Sequence, residues 1–394
     1  MTSPIASVRA DKVRIPFRRP FPTAAGMWVE REAWILRLVD EDGRVGLGEA
    51  VLEPADGETA ATVLEHLVRE LTMSTGDRLP TAQEMEIHGS SGRALRAAVD
   101  AALLDLDGRG SANGSGARGG TAAFTGPAHH GEGPGVGVNA TLPSIGPAAS
   151  AEAARQAVAA GFATLKLKAG AERETEVLVD RVRAVRTAVG PDVRLRLDVN
   201  GAWDLETATE RLEAISRFRL EYVEQPLAGD DAAEMAELRS RVRVPLAADE
   251  TVTSLRAARQ LLDADAVDVL VVKPVRVGGP VVAAEIADLA AEHGVPVVIS
   301  TLFETGVGIA AGLAIAAALP ASGNGRDRTA RAPDHGLATA GLLEHDLLVD
   351  GLVLDEGRLW VPGGPGTGRL GIRLNEAALA RYAVERPSTE AWDL

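Results

Sequence analysis

The chain contains no cysteine, which excludes disulfides, thiolate metal sites and cysteine nucleophiles and fits a cytoplasmic protein without requiring one. Positive charge is in deficit: 41 Lys and Arg against 56 Asp and Glu leave a net −15, which argues against nucleic acid or an anionic membrane as partner. Any anionic ligand must therefore be held by a local site. Long apolar runs are also missing. "MTSPIASVRADKVRIP" has no signal core, and the longest apolar run, Gly306 to Ala321, is too short and too rich in Gly and Ala to span a bilayer. The expectation is an untargeted, soluble, cytoplasmic protein. The scarcest charged residue is lysine, found only at Lys12, Lys166, Lys168 and Lys273. A bias toward Arg replaces Lys wherever only charge is wanted, so the survivors are those that need an amine. Arginine stays protonated, whereas a buried lysine can lose its proton and act as a base.

What is present is ample. With 394 residues, 46% of them hydrophobic, the chain can bury one large barrel or two to three ordinary domains. The first fifty residues read as strands, "KVRIPF" and then "EAWILRLVDEDGRVGLGEA", with a hairpin turn at Asp42-Gly43. Gly46-Leu47-Gly48 lacks the helix a dinucleotide fingerprint requires and reads as a turn. Apolar spacing predicts helices over Thr59–Leu71 and Ser91–Leu106. From Gly108 to Gly137 the composition shifts to Gly, Ala and Ser, too poor in bulky apolar residues to pack. That stretch reads as a flexible insertion or domain boundary, with His129-His130 solvated inside it.

From Val136 short apolar strands ("TLKLK", "VRLRLDVN", "EYVEQP", "VPLAADE", "AVDVLVVKP", "VPVVIS") alternate with helical runs. Such alternation predicts a parallel sheet with right-handed crossovers, and seven or eight consecutive units favour closure into a barrel. "HGLATAGLL" carries a degenerate last strand, and the tail shows hairpin and turn signals. The expected division is an α+β domain over 1–135 with the Gly-rich insertion at 108–135, a barrel over 136–350, and a tail, 351–394, returning to the first domain.

The polar residues that close the barrel strands are Lys168, Asp198, Glu224, Asp249, Lys273 and Ser300, separated by 30, 26, 25, 24 and 27 residues. That is the length of one βα unit, so these side chains are expected to ring the C-terminal mouth of the barrel. Lys166 shares the face of Lys168, and Asn200 that of Asp198. Three carboxylates there repel one another unless a cation sits between them. Hard oxygen ligands without His or Cys point to Mg²⁺, with Mn²⁺ as the alternative. A dication and neighbouring lysines should depress the lysines' pKa and make a base available. A metal holding a substrate carboxylate beside such a base can remove the adjacent proton and stabilise an enediolate. Taken singly, each carboxylate reads as well as the N-cap of the next helix, Asp249-Glu250 above all; the regular interval favours the joint reading. Asn200, Ser300, Thr301 and Glu304 are placed to face a substrate, while the loop Arg18–Glu32 carries Phe21, Met27 and Trp28 to close over the mouth. His335 falls near the last strand, where packing or capping is an equal alternative.

These motifs resemble the enolase superfamily and its muconate-lactonizing subgroup: "GLGEA" in a capping-domain strand, "KLK", "DVNGAW", "VEQP", "ADE", "KPVRVGG" and "PGGPGTG". The resemblance implies a modified TIM barrel, (β/α)7β, with an α+β capping domain formed by the N-terminal region and the C-terminal tail. It implies Asp198, Glu224 and Asp249 as Mg²⁺ ligands, Lys168 as base with Lys166 supporting it, and Lys273 as the opposite lysine. A lysine base with Mg²⁺ is a general property of that superfamily. No histidine follows strand seven in the base position, which argues against the mandelate-racemase subgroup. "VNATLP", "STLFETGVGIAAGLAIAAALP" and "DHGLAT" are most similar to o-succinylbenzoate synthases, which dehydrate a cyclohexadiene carboxylate on the route to menaquinone. The same scaffold hosts N-acylamino-acid racemases, dipeptide epimerases and muconate cycloisomerases, and a non-catalytic metal-binding barrel is the reading from another class. The expected partners are a small carboxylate substrate and further copies of the chain. The insertion Gly108–Gly135 and the expanded segment Ser322–Asp334 depart from the family pattern.

Overall fold

The structure, a computed structural model, describes residues 4–23, 26–73, 79–108, 135–320, 332–364 and 367–384. Nearly all of the Gly-rich insertion, His129-His130 and most of 322–334 lie outside the described residues.

The N-terminal sheet has the order β1 (Ile5–Thr23), β2 (Gly26–Asp40), β3 (Val45–Ala50), all antiparallel. The β2–β3 hairpin turns where expected, with Gly43 at φ +77° and the Asp40 carboxylate accepting from Arg44 N at 2.8 Å. Two expectations are corrected here. The region Arg18–Glu32 is not an open loop but largely the far end of the β1–β2 ribbon: after a register shift between Pro16 and Phe21, pairing resumes at Phe21↔Trp28 and Pro22↔Met27. Pairing satisfies backbone groups that a loop would leave open. Gly46-Leu47-Gly48 is not a turn either; it lies inside β3. The helix Gly89–Gly108 packs so close that a Cβ on Gly46 or Gly48 would sit 2.0 Å from Ala102 O or 1.9 Å from Ala98 O. Those glycines permit backbone contact.

After β4 (Val136–Gly137), which belongs to a separate small sheet, the barrel runs through β5 (Ala140–Leu142), β6 (Thr164–Lys168), β7 (Arg194–Asp198), β8 (Tyr222–Glu224), β9 (Leu246–Ala248), β10 (Val269–Val272) and β11 (Val297–Ile299). β5 to β11 form one seven-stranded parallel sheet in sequential order. Its edges meet through the degenerate last strand: His335 bridges Val138 and Gly336 bridges Ser300. Helices such as Thr175–Val189, Leu205–Ile215 and Pro280–Glu292 alternate with the strands and bury one apolar face each. The run beginning at Gly306 is the helix Gly306–Ala318, apolar all round because it is buried nearly all round.

Helix starts decide the role of the strand-end carboxylates. After β7, β8 and β9 the N-caps are Asp204, Asp231 and Ser254, accepting from Thr207 N, Ala233 N and Ala257 N at 2.8, 2.8 and 3.1 Å. The capping reading of Asp198, Glu224 and Asp249-Glu250 is therefore overturned, since other residues do that work. In the tail, β12 (Val353–Asp355) and β13 (Arg358–Trp360) form a hairpin that pairs with β4. Farther on, Leu370 N donates to Asp105 at 2.9 Å, and Ala383, just past the helix Glu376–Tyr382, bridges Val13 of β1.

Candidate active site

Six strand ends deliver the ring. Lys168, Asp198 and Glu224 are the last residues of β6, β7 and β8, and Asp249, Lys273 and Ser300 each follow the last residue of β9, β10 and β11. Parallel register sets Lys168 beside Asp198 and Asp198 beside Glu224. Oxygens of Asp198, Glu224 and Asp249 lie within 4.8 Å of one another, and all three residues are at most 1% exposed. Three buried carboxylates so close need cations. Lys166 Nζ stands 2.8 Å from Asp198 Oδ2 and 3.0 Å from Glu224 Oε1. Lys168 Nζ is 2.7 Å from the same Asp198 oxygen and 3.1 Å from Asn200 Oδ1. Lys273 Nζ is 2.6 Å from Asp249 Oδ2.

The protein's own charges act on Lys166 and Lys273 in opposing senses. Burial alone lowers the Lys166 ammonium, but Asp198, Glu224 and Asp249 outweigh it and hold its pKa well above the ordinary lysine value. Lys273 is raised as well: burial and Arg276 lower it, and Asp249, Glu250 and Glu53 overcome them. The carboxylates win because the lysines touch them directly. Conversely, burial pushes Asp198 and Asp249 up, yet Lys166 and Lys168 on one side, and Arg276 and Lys273 on the other, keep both far below the usual carboxylate range. Glu224 moves upward, through burial and the Asp198 charge.

Several contributors were not legible in the spacing. Arg276, one helical turn past Lys273, donates to Asp249 Oδ1 and, through Nε at 2.8 Å, to Glu53 of the N-terminal domain. Gln225 takes a positive φ of 39° and offers Oε1 to Asp249 N at 3.0 Å and Thr251 Oγ1 at 3.1 Å. Asn200, also at positive φ, donates to Glu250 Oε1 at 2.9 Å. Local strain at such positions persists where the surroundings over-determine it. An arginine three residues past a strand-end lysine is the signal the sequence carries for the first of these.

The remaining expected contacts divide. Ser300 backs onto Gly336, where a Cβ would lie 2.5 Å from its Oγ, and Thr301 Oγ1 pairs with Thr339 Oγ1 at 2.9 Å. Glu304 is buried and accepts from Leu302 N; burial and Glu49 push its pKa up to about 7. Glu49 itself, in β3, caps the barrel helix Gly306–Ala318, accepting from Thr305 N at 2.9 Å and Gly308 N at 2.8 Å. Phe21 and Trp28 gather with Phe17 around Phe303, with ring centroids 5.2 to 5.6 Å apart from it. Met27 stands apart, 59% exposed. His335 serves packing, with Nδ1 accepting from Ile299 N at 3.0 Å.

Known proteins are similar to this chain in sequence and fold. Residues 149–378 match the enolase C-terminal domain-like family, and residues 5–114 match the mandelate racemase / muconate lactonizing enzyme N-terminal domain. An o-succinylbenzoate synthase of Thermobifida fusca is 48% identical over 47% of this chain, an alignment that spans only 56% of that protein. An N-succinylamino acid racemase of Amycolatopsis is 31% identical over 92% of this chain and 94% of its own length. In fold, the chain superposes on muconate lactonizing enzyme from Pseudomonas fluorescens with a TM-score of 0.79 at 24% identity, over 98% of this chain and all of the other. Among the described residues no helix is long and apolar enough to cross a membrane. The chain belongs to the enolase superfamily, as an enzyme related to o-succinylbenzoate synthases, N-succinylamino acid racemases and muconate lactonizing enzymes.

Proposed function

We propose that the protein is an o-succinylbenzoate synthase, a Mg²⁺-dependent lyase that removes the proton next to a carboxylate and expels a hydroxyl group as water. The observation that carries this reading is the buried carboxylate cluster flanked by lysines from two sides, Lys166 and Lys168 from β6 and Lys273 after β10. The 48% identity with the Thermobifida protein supports the choice of reaction. Asp198, Glu224 and Asp249 would hold the metal, and the fit is chemical: three converging, buried carboxylate oxygens are the hard donor set such a cation takes. Bound there, Mg²⁺ (or Mn²⁺) would supply a Lewis acid for the substrate carboxylate.

The chain's own groups do the rest. Lys168 takes the proton, and in a syn elimination the same ammonium is placed to return it to the departing hydroxyl. Lys166, held charged by its carboxylates, orients Asp198 and Glu224. Lys273 presents its cation on the opposite side, anchored by Asp249. Asn200 steadies Lys168 through its carbonyl oxygen, and Phe21 and Trp28 limit water at the mouth. Incubation with Mg²⁺ and the cyclohexadiene substrate tests the reading: substrate absorbance should fall, and a flat trace sinks it.

A racemase is the second reading, favoured by the near full-length alignment with the Amycolatopsis enzyme. It predicts deuterium uptake from heavy water into both epimers of an N-succinylamino acid. Replacing either Lys168 or Lys273 would then abolish racemisation.

A further inference from the structure

Lys273 stands where β10 gives way to a turn. It is the N-cap of the four-residue helix Pro274–Val277, and its carbonyl accepts from Arg276 N at 2.9 Å and Val277 N at 3.2 Å. A helix of one turn leaves its last carbonyls without partners of its own. The carbonyl of Arg276 is taken by the other domain: Arg93 Nε, on the helix Gly89–Gly108, donates to it at 2.9 Å. The chain then reverses through Gly278 and Gly279, at φ +97° and +123°.

That corner is pressed against the same helix. A Cβ on Gly278 would stand 3.4 Å from Arg96 Cδ, and one on Gly279 would stand 2.9 Å from Asp100 Oδ2 and 3.3 Å from Ala97 Cα. Arg93, Arg96, Ala97 and Asp100 recur at the spacing that makes one helix face. Another face, through Ala98 and Ala102, meets Gly48 and Gly46 of β3. The helix is thus held between β3 and the turn that carries Lys273. The other two lysines of the site have a different support: Lys166 and Lys168 lie within β6 and pair with Arg196 and Asp198 of β7. Sheet pairing fixes them, whereas Lys273 lies one residue past the end of β10.

We propose that Arg93 is a positioning residue for Lys273: through the Arg276 carbonyl it fixes the turn that aims this amine at the site. Loss of Arg93 is then felt on the Lys273 side of the site and not on the Lys168 side. The consequence for turnover rests on the reading of Lys168 and Lys273 as flanking a substrate from opposite sides; the positioning itself does not.

The chain has four lysines, Lys12, Lys166, Lys168 and Lys273. Lysine isotope-labelled at Cε therefore gives four NMR signals from the full chain with Mg²⁺, each assigned by replacement with Arg. In Arg93→Met the Lys273 signal should move while those of Lys166 and Lys168 stay. Arg93→Gln, whose amide nitrogen can stand where Nε stood, should return it. A Lys273 signal that does not move overturns the proposal, as does equal displacement of Lys166, Lys168 and Lys273, the result expected of general loosening. Should Arg93→Met not fold, Arg93→Ala, benign in a helix, is read in the same way. Deuterium uptake measures the consequence. Each enantiomer of an N-succinylamino acid offers its proton to one lysine, and Lys273→Ala identifies the enantiomer that depends on Lys273. In Arg93→Met, uptake from heavy water should slow by about 10-fold for that enantiomer and by less than about twofold for the other. Equal slowing of both overturns the proposal. If the unaltered protein exchanges neither enantiomer, the racemase reading fails and the lysine signals alone decide the positioning.

Discussion

Lys168 is the residue on which the proposed chemistry turns. Its amine sits 2.7 Å from Asp198 and shares a strand face with Lys166. Lys168→Arg keeps the positive charge but cannot deprotonate, so kcat should fall by about 10³-fold while circular dichroism and Mg²⁺ binding stay close to those of the unaltered enzyme. A variant retaining most of its turnover would move the base elsewhere. The ring was legible because it follows from chain length: one βα unit separates each strand end from the next, so a list of intervals stands in for a geometry. Arg276 and Glu53 were not, because their meeting is set across domains. Glu53 meets Arg276 from 223 positions away, and no local period encodes such a meeting. The number of carboxylates each amine touches is likewise a property of the assembled site.

Among elements, β3 and the helices it meets join the two domains. Gly48 lies against the helix Gly89–Gly108, and a methyl group there would stand 1.9 Å from Ala98 O. Gly48→Ala must push strand and helix apart, and overpacking of this kind costs about 1–3 kcal/mol. Urea unfolding should report it as a lower midpoint. One residue on, Glu49 satisfies the N-terminus of the helix Gly306–Ala318 from another domain, taking Thr305 Oγ1 at 2.6 Å besides the two amides. Glu49→Ala strands those buried donors, a loss of about 1–3 kcal/mol, and should increase proteolysis at 302–308 before global unfolding. Helices were readable from apolar spacing: those expected at Thr59–Leu71 and Ser91–Leu106 run Gly57–Met73 and Gly89–Gly108. The β1–β2 ribbon was misread because the run Arg18–Glu32 is rich in turn formers and poor in alternation; its pairing comes from the strand opposite and from the aromatic cluster at Phe303.

For the whole molecule the weak seam is the closure of the barrel, where single bridges at His335 and Gly336 replace a regular last strand. His335 makes that seam pH-sensitive. Burial, and then the charge of Arg196, push its pKa from 6.5 down to about 4 against the opposing pull of Asp334. The folded state therefore binds fewer protons than the unfolded chain between those values. The stabilisation is present above pH 6.5 and is lost as the pH falls through 4, to a limit of about 3 kcal/mol. The neutral ring is the form that accepts from Ile299 N, so protonation also breaks the hydrogen bond that ties the seam to β11. Other groups titrate in acid, Asp198 and Asp249 included, and a variant that removes only this one isolates it. Asparagine offers an oxygen near the position of Nδ1 and does not titrate, so His335→Asn should be less stable than the unaltered protein at pH 7.5, and the gap should shrink or reverse by pH 4.5. Urea unfolding of both proteins across that range measures the gap directly; a gap that is constant with pH would mean that the imidazole titrates in the fold as it does in the unfolded chain.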